Sequence, residues 1–216
     1  MLTWLIAAAL AAPDHDIVPA AMFTLDAPGA FAVDRTGARV VFARQRWDRD
    51  LDRTAKDLWL LDTRSRASTR LTFTTSDEDQ PVFSPDGTWI YYAGNDADGD
   101  RQVMRIPPTG GAAQPVTRAE DGIELWELSA DGRAVYYTTD AEAPRDEAFK
   151  GLRTSHKGLE YGGAALKHQA VHRLDLGTWR TEPVYDPKAW IIDLSVSPDQ
   201  RYLALLTAPD EALITH

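Results

Sequence analysis

The chain has no cysteine in its 216 residues, so neither disulfides nor thiolate metal sites can hold the fold together. It is also short of positive charge, with 23 Lys and Arg against 33 Asp and Glu, a formal net charge of −10. Such a field repels phosphate backbones and argues against a nucleic-acid partner. After the first residues no apolar run approaches the ~18 residues a membrane-spanning helix requires. Export, if any, must therefore be read at the N-terminus. There Leu2 to Leu10 is a short stretch of apolar or small residues, and Ala9-Leu10-Ala11 fits the small-x-small pattern of signal cleavage. No Lys or Arg precedes the run, so an Ala-rich helix is the other reading of the same residues. The expectation is a signal peptide over 1–11, an N-terminal segment over 12–30, and a periplasmic or secreted protein with no membrane span after cleavage.

Hydrophobic residues make up 44% and charged residues 26% of the chain, a globular balance, and seven Trp with seven Tyr favour strands. Comparing the chain with itself reveals one pattern four times, a tight turn followed by an apolar strand. The copies are Asp34-Arg-Thr-Gly37, Ser84-Pro-Asp-Gly87, Ser129-Ala-Asp-Gly132 and Ser197-Pro-Asp-Gln200. Ser or Asp in first place accepts a local hydrogen bond, Pro presets φ, and Gly lets the chain leave the turn. The segments that follow, such as Val40-Val-Phe42, Ile90-Tyr-Tyr92 and Val135-Tyr-Tyr137, alternate little, as strands buried on both faces do. Further strands are expected at Asp57 to Asp62, Gln102 to Ile106 and Val171 to Leu176 as third members, and at Thr69 to Thr72, Gln114 to Thr117 and Pro183 to Tyr185 as fourth.

The last turn residue recurs at 37, 87, 132 and 200, spacings of 50, 45 and 68 residues. A blade of four strands takes about 40–45 residues, so the third repeat carries an insertion of roughly 23, placed at 140–167. Four-stranded sheets repeated radially form a β-propeller, in which each blade is buried only by its neighbours. The predicted fold is therefore all-β, with blades of four antiparallel strands at about 31–72, 81–117 and 126–185. Half of a fourth lies at 193–216. Such an incomplete propeller is expected to be part of a longer reading frame, or else a small or assembled propeller.

The stretches Gln80-Pro-Val-Phe-Ser-Pro-Asp-Gly87, Gln102 to Thr117 and Ser197-Pro-Asp199 to Glu211 resemble the propeller repeats of the prolyl oligopeptidase family of serine peptidases, in its acylaminoacyl-peptidase and dipeptidyl-peptidase branch. TolB-like propellers share the turn motif. The peptidase resemblance, which the inserted Leu159-Glu-Tyr-Gly-Gly163 strengthens, implies an N-terminal propeller that screens peptides and a C-terminal α/β-hydrolase domain with Ser, Asp and His. That family carries its nucleophile in a Gly-x-Ser-x-Gly elbow. No such pentapeptide occurs in this chain, so no catalytic residue is assigned and the hydrolase would lie beyond His216. The rival expectation is a periplasmic TolB-like propeller that binds a protein partner.

The remaining polar clusters are weighed against plainer roles. Asp96 to Asp100 lacks the Gly and Glu of a calcium loop and reads as a hairpin turn. His168 and His172 fall on a strand, where a four-residue separation of about 13 Å is too long for one metal ion. Ser155 and His156 are adjacent with no third group to orient the ring. Asp77-Glu78-Asp79 reads as a solvated link between blades, or as an anionic patch for a peptide's amine. No metal or cofactor is expected, and Glu160 and Tyr161 in the insertion are the candidates for touching substrate.

Overall fold

The computed structural model describes residues 26–48, 52–141 and 168–208. The expected signal peptide, Ser155 and His156, and the substrate candidates Glu160 and Tyr161 lie outside the described residues.

Among the described residues every regular element is a strand, and the strands form three four-stranded antiparallel sheets and one two-stranded sheet. The first blade is β1 (Ala27–Val33), β2 (Arg39–Asp48), β3 (Arg53–Asp62) and β4 (Ser68–Arg70). The second is β5 (Asp79–Phe83), β6 (Ile90–Asn95), β7 (Arg101–Ile106) and β8 (Gln114–Pro115). The third is β9 (Trp126–Leu128), β10 (Ala134–Ala141), β11 (His168–Asp175) and β12 (Arg180–Tyr185). The fourth holds β13 (Trp190–Val196) and β14 (Leu203–Ala208). Consecutive strands are neighbours in every sheet, so each blade is a meander. It is an incomplete propeller, with the first blade reaching back to Ala27.

The four turns form as their residues dictate. Gly37, Gly87 and Gly132 have φ near +70°, and Gln200 adopts φ 57° in the fourth copy, where a non-Gly residue must tolerate the left-handed region. In the last three copies the Ser hydroxyl donates to the turn Asp at 2.6–2.7 Å and accepts the amide of the residue five further on. Asp34 replaces Ser in the first copy, accepting from Thr36, from the Ala38 amide and from Arg39.

Blades bury one another. Val41, Leu58, Ile90, Tyr92 and Ile106 close the space between blades 1 and 2. Tyr91, Val103, Val135 and Tyr137 fill that between blades 2 and 3, and Ala134, Val171, Ile191 and Leu194 that between blades 3 and 4. Each large aliphatic side chain enclosed in this way contributes about 1.5–3 kcal/mol. The two end flanks show the reverse. Val33 is 51% exposed, whereas Phe83 and Leu128, at the same place before the turn in blades 2 and 3, are each 9% exposed. Tyr202 and Leu206 leave the far flank of blade 4 apolar and open.

Candidate functional site

Antiparallel meanders sort the connections to two ends of the blades. One end carries the four turns and the β3–β4 and β11–β12 connections. The other carries the β6–β7 hairpin, the links between blades, and residues 142–167 between β10 and β11. The insertion enters and leaves at one point, because β10 and β11 stay paired from Ala134↔Asp175 to Ala141↔His168.

At the turn end, the blades are tied by single contacts. Arg39 donates to the Gly87 carbonyl at 3.3 Å, and Tyr136 Oη donates to Gln200 Oε1 at 3.4 Å. Arg105 on β7 lies between Trp89 at 4.2 Å and Trp179 of the next blade at 5.0 Å, measured to the ring centres. A groove of about 300 Å³ between blades 3 and 4 is lined by Tyr136, Arg173, Glu182, Tyr202 and Leu203, among others. Of its two arginines, Arg173 is paired, 3.1 Å from Glu182 and 3.5 Å from Asp175, and Arg201 lies 5.8 Å from the centre of the Tyr202 ring.

The other end holds the group that sequence reasoning placed wrongly. The solvated reading of Asp77 to Asp79 fails at Glu78, which is 2% exposed. Its amide donates to the Lys56 carbonyl at 3.1 Å, and its carboxylate accepts from Thr72 Oγ1 at 3.1 Å and from Thr74 Oγ1. Burial pushes the Glu78 carboxyl up to about 7, against the pull of those two hydroxyls. Its neighbours are not a free anionic patch either. Asp77 pairs with Arg53 at 3.1 Å and Asp79 with Lys56 at 2.6 Å. Burial works to raise Asp79, but the Lys56 ammonium, the Gln80 amide and Arg101 together outweigh it and hold the carboxyl below its usual range.

The remaining sequence candidates are separate. Asp96 accepts the amides of Asp98 and Asp100 and closes the β6–β7 hairpin, with Gly99 at φ 96°. His168 and His172 both stand on β11. His172 stacks on Tyr137 with ring centres 5.4 Å apart, its Nε2 lies 3.1 Å from Thr139 Oγ1, and burial holds its pKa below the usual value. Among the described residues no group of three or more His, Asp or Glu is placed to hold a metal ion. Nor do the turn serines form a nucleophile and base, since each hydroxyl is occupied by its own turn Asp and a backbone amide.

No family model matches the chain. The uncharacterised peptidase YuxL of Bacillus subtilis is 24% identical over 198 residues, which are 83% of this chain and 30% of that protein. Among solved structures, the putative TolB from Agrobacterium tumefaciens superposes with a TM-score of 0.53 at 21% identity, over 82% of this chain and 57% of the other. The acylaminoacyl peptidase of Pyrococcus horikoshii does so with a TM-score of 0.55 at 12% identity, over 76% of this chain and 26% of the other. The blades share the fold of the propellers in these proteins. The likeness to solved structures is one of fold, and the chain spans about a third of the length of the curated relatives it matches.

Proposed function

We propose that this chain is the propeller part of an exported serine peptidase of the prolyl oligopeptidase type, which screens peptides on their way to a hydrolase domain and performs no catalysis itself. The observation that carries the reading is the match to a peptidase over 83% of this chain and 30% of that protein, a propeller-sized share. The chemistry of the blades agrees. Their buried hydroxyls and carboxylates are engaged in turns and inter-blade links, and the sequence holds no Gly-x-Ser-x-Gly elbow. Glu160 and Tyr161 in the insertion remain the proposed contacts to a peptide.

The gene itself supplies the test. An open frame beyond the His216 codon, encoding Gly-x-Ser-x-Gly followed by Asp and His, is expected, and its full product should cleave short chromogenic peptides while the 216-residue chain neither cleaves them nor takes up a serine-directed phosphonate label. A stop codon directly after His216, or turnover by the chain alone, overturns the reading.

A second reading, a periplasmic TolB-like propeller that binds a protein partner, draws on the TolB superposition, which reaches 57% of that chain. A downstream frame without the hydrolase elbow favours it.

A further inference from the structure

The place six residues before the turn is a core position in blades 2, 3 and 4. It holds Glu78 before Ser84, Ile123 before Ser129 and Ile191 before Ser197. All three are at most 3% exposed. The ladder position of Asp57 in β3 is filled by Gln102 in β7 and Ala170 in β11, each one residue before the partner of the strand-two residue nine past the turn start. Isoleucine and an uncharged side chain therefore satisfy the scaffold at both places. Only the joint between blades 1 and 2 carries two carboxylates there. Burying a carboxylate where an apolar side chain fits is costly, and such departures from the local rule are where functional devices are found.

We propose that Glu78 is a proton-operated latch between blades 1 and 2, which closes the joint when protonated and loosens it when ionised. The geometry is that of a latch. Glu78 sits on the link between the blades, tied through its amide to Lys56 of β3 and through its carboxyl to Thr72 and Thr74 after β4. Thr72 Oγ1 in turn accepts the Leu58 amide of β3 at 2.8 Å, so the carboxyl is wired into the blade 1 ladder. From blade 2, the buried Tyr92 of β6 faces it; burial first, and then the charge on Glu78, raise that phenol's pKa.

The charges around the joint favour the neutral form. On β3, Asp57 repels an ionised Glu78. Arg70 of β4 bonds Asp57 at 2.6 Å and Arg46 of β2 stands 3.7 Å from it, leaving Glu78 only a longer-range attraction to Arg70. Lys56 is committed to Asp79 and Arg53 to Asp77, while Arg101 of β7 acts on Asp79. Among the described residues no cation pairs with Glu78. With its carboxyl pushed up to about 7, the latch changes state in the neutral range.

This inference does not depend on the function proposed above. Its test is amide hydrogen exchange of the full chain at about pH 6 and about pH 8, corrected for the intrinsic rate. The opened joint ionises in the ordinary carboxylate range, so opening grows about tenfold per pH unit up to the folded value of about 7 and then levels off. Between about pH 6 and about pH 8, segments 54–60 and 71–79 should therefore lose protection by about tenfold. Segment 116–125, in the joint between blades 2 and 3, serves as the internal control and should hold. Glu78→Ile, the residue of the other two joints, should abolish the difference, and so should Glu78→Gln, which decides the matter if the first variant does not fold. Unchanged protection in the wild type at the higher pH, or an equal loss in the variants, overturns the proposal.

Discussion

Gly132 and Pro85 stand so close that a Cβ on Gly132 would lie 2.6 Å from Pro85 Cδ, so the turn of blade 3 rests directly on the turn of blade 2. A built-in control exists in blade 1, where a Cβ on Gly37 would meet nothing within 4 Å. Both glycines have φ near +70°. Gly37→Ala should therefore cost only the left-handed backbone penalty of about 1–2 kcal/mol. Gly132→Ala should cost about 1–3 kcal/mol more, because a proline ring cannot yield as a flexible side chain does. Urea unfolding of the two variants measures the difference, and equal losses would show that the turns do not bear on one another.

Thr72 and Thr117 do the same work in successive blades. Thr72 Oγ1 accepts the Leu58 amide, and Thr117 Oγ1 accepts the Val103 amide at 2.9 Å. Each hydroxyl then donates to a buried acceptor, Glu78 in one blade and Gln102 in the next. Thr117→Val keeps the shape, orphans the Val103 amide and leaves Gln102 Oε1 with the Ala119 amide alone, which should cost about 1–3 kcal/mol. Denaturant titration reads this directly, and a neutral result would mean that water replaces the hydroxyl.

The stack of Trp89, Arg105 and Trp179 joins blade 2 to blade 3 across their exposed rims. Each Arg–Trp contact at such a site is worth about 0.5–1 kcal/mol. Arg105→Met should lower stability by about 1–2 kcal/mol and should shift Trp fluorescence before global unfolding. A double-mutant cycle with Trp179→Ala isolates the inter-blade share.

Acid should unfold the protein through its turns. Arg39 above all, then Thr36 and backbone amides, hold the Asp34 carboxyl down at about 2, while the Ser84, Ser129 and Ser197 hydroxyls lower Asp86, Asp131 and Asp199. A carboxyl lowered in the folded state adds stability that is present above its unfolded pKa and is lost as pH falls through the folded one. Stability should thus decline from about pH 4 toward pH 2. Glu78 has the opposite sign. Its raised pKa gives stability at low pH that is lost as pH rises from the ordinary carboxylate range through about 7. Urea midpoints across the pH range should show both limbs, with Asp34→Asn flattening the acidic one.

Turns and central strands were legible in the sequence because their demands are local. A Ser-x-Asp-Gly turn needs its hydroxyl, carboxylate and φ within four residues, and β6 and β10 announce themselves as unbroken apolar runs enclosed on both faces. What escaped was Glu78. Three consecutive acids read as solvated, and nothing local says that the middle one points into the joint. The signal was present at long range, in the register that sets Glu78 against Ile123 and Ile191. The exposure of Val33 and Leu206 was likewise invisible to local patterning, since it depends on which neighbouring blade covers the strand.

The pairing of β10 with β11 as far as Ala141↔His168 makes blade 3 a docking port for foreign chain. Because the ladder itself brings the two ends together, the polypeptide hung between them can change in length at a cost of only about 0.6 kcal/mol per doubling. Blade architecture and the sequence of residues 142–167 can therefore diverge at separate rates. A lineage, or an engineer, can exchange one inserted segment for another at this point and leave the propeller's core untouched.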